Sequence, residues 1–172
     1  MNFSELAQTR YSVRKFLDKN IEEKDLEIIF KAGNTAPTAC NYQPQRIYVV
    51  RSEEKIAKLN ELCRCIFGAK DVLMFTYNTD EAWKNPLDSG VCSGVQDVSI
   101  VATHIMMQAW ELGIGTCWVN YFSNSLLEKE FGLPENEKVV LLMPIGYPAE
   151  DSVPLEKMHN VRKDIDKTVR YI

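Results

Sequence analysis

Apolar positions recur along this chain in blocks whose spacing separates helices from strands. Leu26, Ile29, Phe30 and Gly33 fall three and four apart and mark one helical face. Asn20, with Glu23 three residues on, predicts a capping-box start for that helix. A shorter helix is expected over Asn2 to Ala7, ending before Arg10. Ser52 is placed to cap a helix carrying Ile56, Leu59 and Leu62. A long helix is predicted from about Gln96 to Leu112, with Val98, Val101, Ile105, Met106, Ala109 and Leu112 on one broad face. Further apolar residues on its other sides indicate burial nearly all round. Asp97 suits the positive end of its dipole, and Gly113 suits the position just past its end. Ser123 or Ser125 starts another helix, which Gly132 and Pro134 stop.

Three runs have the other signature. Arg46 to Arg51 holds four β-formers between two charges. Val72 to Tyr77 and Lys138 to Tyr147 are continuous apolar strands. Gly115 to Asn120 reads as a short turn into a strand. Between these elements, Thr35 to Pro44 is a loop, since Pro44 disfavours helix in the residue before it. Asn78 to Ser93 is polar and irregular around Trp83, the profile of a functional lid. The last 25 or so residues are polar with little periodicity, so they are expected to wrap another surface, such as a partner subunit. Helices and strands alternate irregularly, which predicts one α+β or mixed α/β domain over residues 1–172, with a C-terminal arm from about 150 to 172.

Composition narrows the function classes. The chain has 172 residues, 45% of them hydrophobic, enough to build a sizeable core. Its 24 acidic residues exceed its 20 basic ones, a net charge of −4 that argues against non-specific nucleic-acid binding. The start lacks the charged and apolar regions of a signal peptide, and no apolar run reaches membrane-spanning length, so the cytoplasm is the expected location. The five cysteines include no C-x-x-C pair, and neither a disulfide framework nor a metal site is expected.

Candidate chemistry lies in two short segments. Arg10, Ser12 and Arg14 alternate with Tyr11 and Val13, so an extended backbone would put two guanidiniums and a hydroxyl on one face. Arginine forks and a serine hydroxyl suit phosphate oxygens. Taken alone, the same pattern also fits a solvated basic stripe before a helix. In the loop, Asn41 and Gln43 are again two apart, and their amides can donate and accept along a ligand edge. An Asn/Pro turn without a ligand fits that loop equally well.

Read together, four motifs in order resemble the nitroreductase family of FMN-dependent flavoproteins. Arg10-Tyr-Ser-Val-Arg-Lys-Phe16 is similar to its R-x-S-x-R-x-F opening, and Ala36 to Pro44 to its A-P-S-x-x-N-x-Q-P loop. Ala109 to Trp118 resembles A-x-x-L-G-L-G-T-x-W, and Pro144 to Pro148 the closing G-Y-P strand. The resemblance implies a central, mostly antiparallel sheet flanked by helices, in an intertwined homodimer with FMN at the interface. It implies that Arg10, Ser12 and Arg14 hold the phosphate and the nearer part of the flavin. Pro37, Thr38, Ala39, Asn41 and Gln43 would approach from the other subunit. Cys117 and Trp118 would pass the flavin ring, and Arg162 or Lys163 would supply a late basic residue to the phosphate. The implied activity is NAD(P)H-dependent reduction of a small electrophile, such as a nitroaromatic or quinone, by ping-pong hydride transfer through flavin N5. Arg14 would stabilise reduced flavin, and no catalytic acid or base is assigned. His104 is expected to be a satisfied core residue.

Two departures stand out. Arg46 replaces a bulky aromatic common after Gln-Pro in such sequences, and the 78–93 region follows no recognisable pattern. Two other readings remain at this stage: a flavin-binding protein without efficient turnover, acting as redox sensor or FMN store, and an interaction domain whose basic stripe meets an acidic partner.

Overall fold

A computed structural model of the chain describes residues 2–172. Its frame is a four-stranded sheet of β1 (Gln45–Val50), β2 (Asp71–Asn78), β3 (Gly115–Thr116) and β4 (Glu137–Gly146). The spatial order is β1-β2-β4-β3, and each neighbouring pair is antiparallel. The central strands β2 and β4 read as unbroken apolar runs because both faces of the sheet are covered. Leu73 and Phe75 of β2 face one core, with Leu141, Met143 and Ile145 of β4. Val72 and Met74 face the other, with Leu142.

The first core is closed by α2 (Glu23–Asn34), through Leu26 and Ile29, and by α4 (Gly94–Glu111), through Val98, Val101, Ala102, Ile105 and Ala109. The second is closed by α3 (Glu53–Leu62), through Leu59, and by α5 (Asn124–Phe131), through Leu127. The sheet is therefore the middle layer of three. Phe75 is fully buried between these helices, and truncating such a side chain costs about 3–5 kcal/mol.

Local signals explain most boundaries. Helix α1 (Phe3–Thr9) starts with a capping box: the Asn2 side chain accepts from the Glu5 N–H, and the Glu5 carboxylate accepts from the Asn2 N–H. Ser52 caps α3 by accepting from the Lys55 N–H. Helix α5 follows Ser123 and ends at Gly132.

The expected Asn20 cap is not formed. The backbone N–H of neighbouring Ile21 bonds to the Asp71 carboxylate, which anchors this stretch to β2, and α2 starts later, after Glu22. Helix α4 begins two residues before the expected Gln96. Gly94 lies against the Tyr77 ring, where a Cβ would come within 2.2 Å of Cδ2, so a residue that reads as a helix breaker here permits close packing.

Beyond β4 the chain turns back along its own beginning. The Ala149 N–H donates to the Lys15 carbonyl, and the Tyr11 hydroxyl donates to the Ser152 carbonyl. The tail carries two single-turn helices, α6 (Glu156–His159) and α7 (Ile165–Thr168), where little periodicity is visible in the sequence. Among the described residues, no helix is long and apolar enough to cross a membrane.

Candidate functional site

Residues 10–16 run extended beside the short strand β3. Ser12 forms a parallel bridge with Thr116, and the Val13 N–H donates to the Thr116 carbonyl. Val13 is fully buried, as the alternation predicts. It fits because Gly115 has no side chain: a Cβ there would meet Val13 Cγ2 at 2.4 Å. Tyr11 stacks edge-on against Trp110 with ring centroids 5.1 Å apart, and against His159 at 6.3 Å. With Val13 and Tyr11 pinned, Arg10, Ser12 and Arg14 share the remaining face.

That face is electropositive. Arg10 is partly buried, and burial lowers its pKa; the neighbouring charge of Arg162 lowers it further, while Cys117 acts in the opposite sense. Arg14 donates to the Ser12 carbonyl at 3.0 Å and reaches the Met158 sulfur of α6 at 3.6 Å. The buried Cys117 thiol is pushed up by burial, against the pull of Arg14, its hydrogen bond with Ser12, and Arg10. Among the described residues no carboxylate forms an ion pair with Arg10, Arg14 or Arg162. Three guanidiniums and a hydroxyl converge there without a counter-charge, a donor set suited to a phosphate.

The structure thus brings Arg10, Ser12, Arg14, Cys117 and Arg162 together. Trp118 follows directly, its indole N–H donating to Asn120 at 3.1 Å. Lys163 is exposed, and no contact joins it to the cluster among the described residues.

The second segment stands elsewhere. Residues 37–43 contain a 3-10 turn, Ala39–Asn41, and three non-glycine residues with positive φ: Cys40 (51°), Asn41 (56°) and Gln43 (52°). Such backbone is sparsely populated and persists only where its surroundings hold it. Here the Ala39 N–H donates to Asp97 Oδ1 at 2.8 Å, and the Gln43 N–H donates to Thr38 Oγ1 at 3.1 Å. The Gln43 amide donates to Asn41 Oδ1 at 3.0 Å, so the two amides lie side by side and exposed. Arg46, just beyond the loop, is neutralised by Glu81 at 2.5 Å.

Asp97 is in the first turns of α4 and Trp110 is near its end. At 1.5 Å per residue the two positions are roughly 20 Å apart. The loop 37–43 is held at one end of α4 and the arginine cluster at the other. One chain therefore does not bring the two predicted groups together.

Sequence reasoning missed several residues that build these two places. Asp97 is read there only as a helix-dipole partner. Ser152, Met158 and His159 belong to a tail without periodicity, although Tyr11 and Arg14 reach all three. His104 is not a core residue: it is partly exposed on α4, with Nδ1 2.9 Å from the Ile100 carbonyl.

A model of the nitroreductase family matches residues 7–71 and 64–147, which include the arginine segment, the 37–43 loop and the Gly115–Trp118 turn. The chain belongs to the nitroreductase family. A nitroreductase family protein from Clostridium difficile 630 shares 35% identity and superposes with a TM-score of 0.91, over 99% of this chain and 98% of that one. An Archaeoglobus fulgidus protein with the provisional name NADH dehydrogenase/NAD(P)H nitroreductase is 31% identical, with 85% of each chain covered. A Clostridium difficile R20291 protein, named as an FMN-dependent nitroreductase, shares the fold at 23% identity and a TM-score of 0.76, over 96% of each chain. The protein is accordingly a nitroreductase-family oxidoreductase with an antiparallel sheet between two helical layers. Within that family frame, the irregular 78–93 segment is a hairpin-like excursion: the Asn85 N–H donates to Val91 O and the Ser93 N–H to Trp83 O.

Proposed function

We propose that this nitroreductase-family protein binds FMN and uses NADH or NADPH to reduce a small electrophilic acceptor, such as a nitroaromatic or a quinone, as a homodimer. The observation that carries the reading is the pair Arg10 and Arg14 beside Ser12, with Arg162 near Arg10 and, among the described residues, no carboxylate in an ion pair with any of the three. A surface ion stripe would gather acidic neighbours. Here Arg10 and Arg14 are partly buried and, among the described residues, unpaired with a carboxylate, which fits the phosphate of FMN.

When bound, FMN supplies the two-electron chemistry that links donor to acceptor. The chain's residues bind and orient it. Arg10, Ser12, Arg14 and Arg162 hold the anionic end, and Arg14 offers a fixed positive charge to a reduced, anionic ring. Cys117 brings a buried thiol next to Ser12 and the arginines, while the half-buried Trp118 indole points to the other side of the strand and packs against the first core. Pro37, Thr38 and Ala39 of a second copy would line the other side, and the exposed side-chain amides of Asn41 and Gln43 would supply its polar groups. The separation of roughly 20 Å along α4 supports this assignment to a second copy. The 150–172 arm, which carries exposed Val153, Leu155, Met158, Val161 and Ile165, is suited to cover that partner. No side chain need serve as acid or base.

The test is spectroscopic. Purified protein, or protein mixed with FMN and desalted, should show flavin absorbance at roughly one FMN per chain, the stoichiometry of a two-fold dimer with two equivalent sites. NADH or NADPH under anaerobic conditions should bleach it, and an added quinone or nitroaromatic should restore it. A colourless protein that takes up no FMN would overturn the reading. A yellow protein that neither nucleotide bleaches would indicate flavin binding without turnover.

A further inference from the structure

Asp97 is a carboxylate at only 2% exposure with two engagements that point in different directions. Its Oδ1 accepts from the Ala39 N–H at 2.8 Å, inside the 37–43 loop. Its Oδ2 accepts from the Ser93 hydroxyl at 2.6 Å, at the foot of the 78–93 excursion. Ser93 is itself 3% exposed, and its N–H donates to the Trp83 carbonyl, which closes the base of that excursion. Among the described residues no lysine or arginine pairs with Asp97. A buried carboxylate without a cation depends on its hydrogen bonds, so neither partner can leave cheaply. Gly94 fixes its place, because the helix start rests directly on the Tyr77 ring.

We propose that Asp97 is a positioning residue that couples the lid hairpin to the flavin-facing loop, so that the segment admitting the acceptor and the segment holding the flavin move as one unit. This rests on the flavin reading above. The loop needs such a tie: Cys40, Asn41 and Gln43 have backbone angles that an isolated chain would relax. The 83–93 part of the lid needs it as well, since Leu87 at its tip is almost fully exposed, whereas residues 79–81 are held separately by Arg46 and Asn136. One side chain satisfies both. Acceptor selection is then a property of the lid's attachment as well as of its tip.

Amide hydrogen exchange on the ligand-free protein tests the coupling without flavin. Asp97→Ala should speed exchange in residues 37–43 and in 83–93 together, with β2 and β4 unchanged. Asp97→Asn should restore slow exchange, because its amide oxygen can still accept from Ala39 while its NH2 donates to Ser93 Oγ. Ser93→Ala should loosen only the lid. In FMN-loaded protein, Asp97→Ala should weaken FMN by roughly ten- to a hundredfold, as expected for losing a hydrogen bond to a charged group. Ser93→Ala should raise the KM for the acceptor with the FMN affinity unchanged. If Asp97→Ala does not fold, Ser93→Ala still decides the matter. The proposal is overturned if Ser93→Ala leaves lid exchange and acceptor KM at their wild-type values, or if Asp97→Ala frees only one of the two segments. Wild-type protein that takes no FMN defeats the flavin reading alone, since the exchange result stands apart from it.

Discussion

Arg162 in the C-terminal tail comes close enough to Arg10, which opens the extended N-terminal segment, to add to the burial that lowers the Arg10 pKa. A partly buried guanidinium with a like charge nearby weakens the ligand-free protein and strengthens its attraction for an anion. The pair therefore works against stability and in favour of binding.

Substituting Arg10 should separate those two effects. Arg10→Ala should weaken FMN binding by about 1.5–3 kcal/mol, the range for hydrogen bonds to charged groups. The melting temperature of the ligand-free variant should stay level or rise, because burial and Arg162 both disfavour the charge at this position. Isothermal titration and thermal denaturation check the two halves. A variant that loses stability and keeps its affinity would assign Arg10 to the scaffold.

The phosphate should dominate recognition. At a hundredfold excess over Kd, FMN should stabilise the protein by about 2.7 kcal/mol. Riboflavin, which lacks the phosphate, should give a clearly smaller thermal shift at the same concentration. Equal shifts would place the binding energy in the ring alone.

Gly115 gives a way to disturb the site without touching a ligand contact. Gly115→Ala forces a Cβ into Val13. Overpacking of this kind costs about 1–3 kcal/mol and should push the 10–16 segment off β3. FMN affinity should fall along with stability, and Val13→Ala in the same chain should recover part of both. Unchanged flavin affinity in Gly115→Ala would show that this contact does not set the position of Arg10 and Arg14.

The fold was largely legible in the sequence. Unbroken apolar runs marked β2 and β4, a block of β-formers marked β1, and three-and-four spacing marked α3 and α4; the Ser52 cap expected for α3 is formed. Where the reading failed, a distant contact overrode a local signal: Asp71 claims the Ile21 N–H, and Tyr77 takes Gly94 into a helix start. The arginine face was legible from the alternation of residues 10–14. Its partners Ser152, Met158 and Arg162 were not, or only loosely, because a tail that packs through scattered contacts leaves no period. Asp97 was hidden for a similar reason: its role depends on which loops meet the start of α4.

The buried polar knot at the start of β4 should govern the alkaline limit. Glu137 accepts from the Tyr48 hydroxyl at 2.7 Å and from the Thr76 hydroxyl at 2.9 Å. Burial, then the Glu137 hydrogen bond and charge, push the Tyr48 pKa up to about 12, from an ordinary value of 10.0. The folded state therefore holds this proton more tightly than the unfolded chain does. The resulting stability is complete below the ordinary value and is lost as pH rises from there through the folded one. Tyr48→Phe should lower stability at neutral pH by about 1.5–3 kcal/mol and flatten this alkaline decline. Urea denaturation at several pH values checks both; a parallel decline in the variant would place its origin elsewhere.

If one flavin is held by the arginine segment of one chain and the 37–43 loop of another, mixing subunits should show it. Arg10→Ala/Arg14→Ala damages one half of each site, and Asn41→Ala/Gln43→Ala the other, so each homodimer should hold flavin poorly. In a mixed dimer, one site collects both sets of substitutions and the other collects neither. Co-purified mixed dimers, carrying two different tags, should regain about half the wild-type flavin content, as two-fold symmetry requires, with wild-type affinity at that site. Mixed dimers that hold flavin no better than either parent would contradict it.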